Sequence, residues 1–548
     1  MRLVHSRSAV VLAAFMFTVG AFAGAAGAQL RPTLMEGDPF PDVPGADVLQ
    51  IRGSAGNHAG DWAVRVYSDD GVDVVQHIWG SIGGAAPTLL RTLGVVGDFE
   101  QLGFTSLTDP FGLADDGSLI YTARVNELLG PGVNLDSLWV DDSVVYVEGD
   151  AVSSQPGRLW LSASDPHATA SGLPFWYGRT EDALSGDLTR SLYLGTDAQV
   201  LVTGGDVLPN LPRPLDPELP IVIRYAASAE AGHWMVEANM ASYPDTVDTV
   251  LVMDGAGLLV GGALVREGDP VPASIGGLPG EVWDGFPVMA CAEDGSYAFF
   301  NLAVGNTDML IKNGAVLHRA GDLVDGVVLS GGATTLVMNE QGDMAYQYGS
   351  RLLVNEDVIA ATGDPIDIDG DGEADPGWFL DQLHGSVLVL GDREPDGSMD
   401  VVFNAWVEHP VTSELLTTLF VLSYKDHFID EGFGLAGVQG VPSLQGTGFL
   451  EGGDPITLTL QKGVPNGSAT LFLGVAPLFA PLLGGTLVPV PTFTLAGFPL
   501  DANGNLVIAS TWPDGVPGGV EVYLQFWMPD VAAIFGASAS NGLSILTP

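Results

Sequence analysis

A chain of 548 residues that is 46% hydrophobic and only 16% charged can bury more than one core, which excludes an intrinsically disordered protein. Its 67 acidic and 19 basic side chains give a formal charge of −48, and a surface of that sign repels nucleic-acid phosphates and anionic lipid. A single cysteine, Cys291, excludes an intrachain disulfide, while 73 glycines and 36 prolines argue against a helical protein.

Residues 1–28 read as a secretory leader: two arginines, an apolar stretch from about Ala9 to Ala23, and an Ala26-Gly27-Ala28 cleavage site. The expected mature chain starts at Gln29 and is secreted, extracellular or at the cell surface. The later apolar run "PLFAPLLGGTLVPVPTFTLAGFPL" is interrupted by Pro and Gly too often to cross a membrane as a helix, so no membrane insertion is expected.

From the expected mature start onward, two markers alternate. A Gly-Asp pair closes a strand at Gly37, Gly97, Gly149, Gly205, Gly268, Gly321 and Gly363, at spacings of 60, 52, 56, 63, 53 and 42 residues. A second glycine turn, followed by an alternating strand, falls after each at Gly60, Gly117, Gly172, Gly232, Gly295, Gly342 and Gly397. The offsets between markers are 23, 20, 23, 27, 27, 21 and 34 residues. A short hairpin needs one residue at positive φ, and Asp-Gly, Gln-Gly or Ala-Gly supplies it. Runs such as "SLWVDDSVVYVEGD" and "DMLIKNGAVLHRAGD" add a second hairpin before the Gly-Asp pair. Two hairpins per period make four antiparallel strands, and a sevenfold period predicts an all-β fold, a seven-bladed β-propeller over residues 29–426. "RPTLMEGD" and "LLTTLFVLSY" are complementary half-hairpins, which places Pro32 to Glu36 and Thr417 to Tyr424 in one blade.

The period stops after "KDHFIDEGFG"; residues 427–434 read as a linker, and the Gly/Pro-punctuated strands of 435–548 as a β-sandwich domain.

Within the repeats, "GDPIDIDGDGEADPGW" carries the spacing of an EF-hand-type loop. Asp367, Asp369, Asp371 and Asp375 take loop positions one, three, five and nine, Gly372 the sharp turn, and Glu373 offers a backbone carbonyl, a hard-oxygen set for Ca²⁺. Position twelve is Trp378 instead of a bidentate Glu, so Asp381 or water must complete the shell. No catalytic residue is assigned. The Gly-Asp aspartates recur too regularly for differentiated acid and base roles and read as turn caps, the histidines (His58 and His233 beside turns) show no ligand spacing, and Cys291 lacks a positive neighbour.

"VREGDPVPASIGGLPG" from Val265, with "EDGSYAFF" and "NEQGDMAY", resembles the tandem NxxGxxAF-repeat family of secreted bacterial proteins, whose repeats carry "xREGDPxPG" and then "NxxGxxAF". The resemblance covers most of 29–426, and "EVYLQFWMPDVAAIFGASASNGLSILTP" is similar to a terminal domain common in such proteins. Neither implies an activity. The expected function is that of a secreted non-catalytic binding scaffold for an extracellular glycan or protein. The alternatives are a carbohydrate-active propeller enzyme, glycosidase or lyase, and a calcium-dependent adhesion module.

Overall fold

The computed structural model describes residues 30–547 except 58, 105–110, 129–132, 218–220, 242–246, 303–306, 325–326, 372–373, 395–396, 426, 449, 451–454, 514, 518 and 532. The expected leader, His58, Gly372 and Glu373 therefore lie outside the described residues. The described chain is nearly all β, in many small antiparallel sheets, and its one helical turn is the 3₁₀ segment Ala273–Ile275.

Seven sheets among the described residues share one plan of three hairpin-connected strands and a fourth at the edge. Sheet 1 is Asp47–Gly56, Trp62–Asp69, Val74–Ser81 and Thr88–Thr92. Sheet 2 orders Phe99–Phe104 and Gly112–Leu113 beside Leu119–Glu127, then Leu135–Val140 and Ser143–Val147, with Val95–Val96 as an extra edge. Sheet 3 is Arg158–Ala168, Pro174–Asp182, Leu188–Leu194 and Gln199–Thr203; sheet 4 is Ile221–Ala227, Trp234–Asn239, Thr249–Met253 and Ala256–Gly257. Sheet 5 is Met289–Cys291, Tyr297–Asn301, Met309–Lys312 and Ala315–Arg319; sheet 6 is Ala333–Met338, Met344–Tyr348, Arg351–Val354 and Asp357–Ala361. Sheet 7 takes Phe379–Leu390, Ser398–Glu408 and Leu415–Lys425, and its fourth strand is Pro32–Met35 from the other end of the chain, paired through Leu34 to Leu419.

The apolar residues do not gather in one core. Seven clusters instead lie each between two consecutive sheets, as Tyr146 of sheet 2 with Trp160 of sheet 3, Phe300 of sheet 5 with Tyr346 of sheet 6, and Val389 and Leu419 of sheet 7 with Val64 and Trp79 of sheet 1. A second strand covered on both faces cannot alternate polar and apolar residues, which is why "MAYQY" (Met344–Tyr348) is buried at every position.

The two markers have separate mechanical roles. In six copies the Gly-Asp pair is joined to the incoming chain of the next sheet by two backbone bonds. The Gly149 N–H donates to Trp160 O at 2.8 Å and the Trp160 N–H to Asp150 O at 2.9 Å, and the same exchange links Gly37 with Val48, Gly205 with Leu215, Gly268 with Trp283, Gly321 with Leu329 and Gly363 with Leu380. Asp38, Asp150, Asp206, Asp322 and Asp364 each accept the backbone N–H three residues earlier, as at Ala361 N–H to Asp364 Oδ2, 2.7 Å. The copy at Gly97 differs, because it turns a short hairpin inside sheet 2, where Val95–Val96 pairs with Phe99–Phe104.

At the second marker the residue three before the turn glycine donates its N–H to the carbonyl one residue past that glycine, as Asn57 to Asp61, Ala114 to Ser118, Ala292 to Ser296 and Asn339 to Asp343. The fourth copy corrects the reading at Gly232. Ala231, at φ 57°, occupies the left-handed position, and the bond runs from Ser228 to His233, so the turn glycine has slid one residue out of register. Where the leading residue is Asn, its amide also fastens the neighbouring sheet: Asn57 Nδ2 donates to Ala114 O at 2.9 Å and Asn339 Nδ2 to Gly391 O at 3.1 Å.

The span 427–434, expected as a linker, is corrected as well. Phe428–Gly432 pairs with Gly542–Leu546, so its apolar Phe428 and Ile429 form a strand despite the glycines that follow. It belongs to a sheet with Glu521–Pro529, Ser468–Gly474 and Phe493–Pro499, while Ser443–Thr447, Pro455–Gln461 and Leu506–Thr511 form a second sheet. Leu444, Leu458 and Leu460 of the second share a core with Leu471, Phe526 and Ile545 of the first.

Asn339 is 4% exposed and holds both the turn and the next sheet, so replacing it strands the Asp343 N–H and the Gly391 carbonyl together. Asn339→Ala should lower unfolding stability in urea by about 1–3 kcal/mol. The same change at the less buried Asn57 should cost less; a cost at Asn339 below about 0.5 kcal/mol would show the staple to be dispensable.

Candidate functional site

The first strands of all seven sheets converge. Ala55, Leu113, Ala168, Ala227, Ala290, Val337 and Val389, one from each sheet, line a single cavity of about 300 Å³. The small side chains follow from that convergence: a Cβ built on Gly112 would lie 2.2 Å from the backbone of Ala168, so the adjacent strands leave room only for hydrogen there.

Polar groups at this cavity come from the second-marker turns. Glu340 bridges two sheets, accepting the Ala229 N–H at 3.2 Å on Oε1 and the Glu293 N–H at 3.0 Å on Oε2. Asp392 accepts the Glu340 N–H at 3.0 Å. Glu293 Oε1 takes the Ser228 hydroxyl at 2.6 Å and the N–H groups of Glu230 at 2.7 Å and Gly232 at 3.1 Å. Burial raises the Glu293 carboxyl, but these donors outweigh it and hold the group below the ordinary carboxylate range. A carboxylate held as an anion by such donors, as Glu293 is, is a poor proton donor at neutral pH, and the hydrogen bonds of Glu340 and Glu293 tie neighbouring sheets together. Sequence reasoning missed them, although a Glu directly after the leading turn residue in "NEQG" and "AEDG" was a legible signal.

Cys291, His167 and His233 are further nucleophile and base candidates. Cys291 is buried, burial pushes its thiol well up, and its Sγ lies 3.5 Å from the His233 carbonyl. Burial depresses His167 to about 4, so it remains neutral in the cavity wall. His233 Nδ1 lies 2.8 Å from Asp254 Oδ2, and that hydrogen bond raises its pKa.

On sheet 7 the predicted calcium loop lies just before Phe379–Leu390. Asp367, Asp369 and Asp375 each bring a carboxylate oxygen within 4.8 Å of the others, while Asp371 stands outside this trio and Glu373 lies outside the described residues. The loop is shaped by its own carboxylates: Asp375 Oδ2 accepts the Ile368 N–H at 2.7 Å, and Asp367 Oδ1 accepts the Gly370 N–H at 2.7 Å. A Cβ on Gly370 would meet the Arg31 guanidinium at 2.5 Å, so one cationic side chain already lies against the loop.

No protein-family model and no curated protein matches the sequence. Among solved structures, the WD40 β-propeller domain of Doa1 is 11% identical, with 73% of this chain and 97% of that one covered at a TM-score of 0.28. The parainfluenza virus 5 hemagglutinin-neuraminidase ectodomain is 10% identical, covering 76% and 94% at 0.27, and a eukaryotic initiation factor is 8% identical, covering 72% and 90% at 0.26. Scores this low carry no argument; the fold rests on the strand pairing described above. No helix among the described residues is long and apolar enough to cross a membrane.

One carboxyl stands apart from the cavity. Glu237, in the middle of the apolar strand Trp234–Asn239 and 5% exposed, is pushed up to about 7 by burial, which Arg224 Nη1 at 3.4 Å does not offset. Below the ordinary value of 4.5 both the folded and the unfolded chain hold this proton. Between 4.5 and about 7 only the folded chain does, so stability falls as pH rises and levels off above that window. Glu237→Gln should be more stable than wild type at pH 8 by about 1–3 kcal/mol, with the gap closing toward pH 5. Urea unfolding of both proteins at the two pH values checks this; a gap independent of pH would contradict it.

Proposed function

We propose that the seven sheets are the blades of a closed β-propeller over residues 29–426, followed by a β-sandwich over 435–548. In this reading the protein is secreted, non-catalytic, and binds an extracellular ligand, glycan or protein. The observation that carries the non-catalytic part is the engagement of Glu340 and Asp392, two of the carboxylates lining the seven-strand cavity, and of the nearby Glu293, by backbone N–H groups. Closure is supported by the hydrophobic clusters, which run from sheet to sheet and return from sheet 7 to sheet 1 through Val389, Leu419 and Val64. A hydrolysis and lyase screen of the purified chain on polysaccharides tests the reading. Turnover of any polysaccharide, lost on replacing Glu340 or Glu293, would make the carbohydrate-active enzyme the correct reading.

The same proposal includes Ca²⁺ at the loop of sheet 7. Asp367, Asp369 and Asp375 would hold it, with Asp371 and Glu373 closing the loop around them. Three carboxylates within 4.8 Å repel one another, and a hard divalent cation would neutralise them and order the connection. Calcium at about one hundred times its Kd should stabilise the fold by about 3 kcal/mol. The check is calorimetry and thermal unfolding in Ca²⁺ against EDTA, for wild type and for Asp369→Ala, the exposed member of the trio. Absence of binding heat in wild type, or full-size binding in the variant, would reduce the loop to an acidic turn.

A further inference from the structure

Residues 474–500 contain no Asp, Glu, Lys or Arg, although the chain as a whole carries a charge of −48. Part of this run folds as a hairpin, Pro477–Leu482 paired with Gly485–Pro489, and Leu482 and Leu487 fasten it to Trp527 of the C-terminal sheets. Two further segments without a charge, 432–442 and 531–536, reach the hairpin. The Phe433 ring lies 5.2 Å from the Phe479 ring, and a Cβ built on Gly484 would meet the Phe535 ring at 2.1 Å. The three segments thus share one face, and its large side chains are left in water. Val531 and Ile534 are 102% and 94% exposed, and Phe433, Phe479, Leu483 and Phe535 about half. Three of these residues stand at left-handed backbone angles that large side chains rarely adopt, φ 65° at Phe433, 47° at Phe479 and 44° at Leu483. Burial within the chain does not account for those positions, because the side chains they carry remain exposed.

These side chains and their neighbours on the same segments leave roughly 900 Å² of mostly apolar surface in water, more than a monomeric protein ordinarily exposes in one patch. The chemistry of the face decides among occupants. A membrane is disfavoured, since the three segments hold no Trp, Tyr, Lys or Arg to anchor at a lipid interface and the charge of −48 repels anionic headgroups. A basic partner would seek carboxylates, which this face lacks. A second copy of the chain fits on both charge and area. Two chains of −48 repel wherever their acidic surfaces meet, and here they can approach without setting carboxylate against carboxylate. An apolar face is also self-complementary, as a two-fold interface requires, and two such faces would bury up to about 1,800 Å² in total, the area of a stable dimer.

We infer that this face joins two copies of the chain in a two-fold symmetric dimer. The dimer goes beyond the binding reading proposed above and does not depend on it. The full chain is followed by sedimentation equilibrium over about a hundredfold range of concentration, at low and at high salt. The expected mass is twice that of one chain, and the dimer should tighten as salt is raised, because screening relieves the repulsion between the two acidic surfaces. Ile534→Glu and Val531→Glu each set a carboxylate on the face at a position too exposed to disturb folding, and each should weaken the dimer about thirtyfold or more. Leu184→Glu, at a residue of the repeat region that is 99% exposed, should leave it unchanged, and thermal unfolding shows that all three variants are folded. A wild type that remains a single chain throughout the range, or a dimer that both Ile534→Glu and Val531→Glu retain at full strength, overturns the inference. A dimer that falls apart as salt is raised overturns it too, because charged groups would then hold the interface. Uptake of the single chain by phosphatidylcholine vesicles, lost in Ile534→Glu, would assign the face to a lipid surface instead.

Discussion

Two backbone hydrogen bonds at six of the seven Gly-Asp turns fix the step from one sheet to the next. Gly363 N–H to Leu380 O at 2.7 Å and Leu380 N–H to Asp364 O at 2.9 Å tie the end of sheet 6 to the start of sheet 7, and five other turns repeat the exchange. Each bond is worth about 1 kcal/mol net, and the partner side is a buried residue such as Trp160 or Leu380, so the joint is anchored on the core. The glycine is required because its φ is near 90°, as at Gly149 (91°) and Gly363 (95°), where a side chain would be strained even though the space around it is open. The aspartate locks the same turn from the other side through its carboxylate. With the step set, consecutive sheets must lie face against face, and the apolar residues divide into clusters between them.

This explains which parts of the molecule were legible in the sequence. Gly-Asp pairs and glycine turns are local devices that demand particular residues, so their recurrence shows directly in the letters and yields both the strand count per period and the pairing of Pro32–Met35 with Leu415–Lys425. Where another residue serves the same geometry, the letters mislead. Ala231 takes the left-handed position that Gly232 was expected to fill, and Gly97-Asp98 satisfies the pattern while turning a different hairpin. Phe428–Gly432 was concealed by the glycines beside it, since its partner Gly542–Leu546 lies more than a hundred residues away.

The candidate sites divide along the same line. The loop aspartates are close in sequence, and spacing alone brings Asp367, Asp369 and Asp375 together; it could not show that Asp371 stands apart, because that depends on how the loop folds back on its own N–H groups. The Glu340 bridge reaches Ala229, 111 residues away. No spacing rule links such residues until the step between sheets is known.

A repeat that places the same backbone atoms at the same joint six times is well suited to stability and poorly suited to discrimination, because equivalent positions present equivalent chemistry. Specific chemistry can therefore arise only where a copy departs from the pattern. Among the departures in this chain are the long offset before Gly397 that admits the aspartate loop and the glutamates at 293 and 340, whose carboxylates reach the neighbouring sheet.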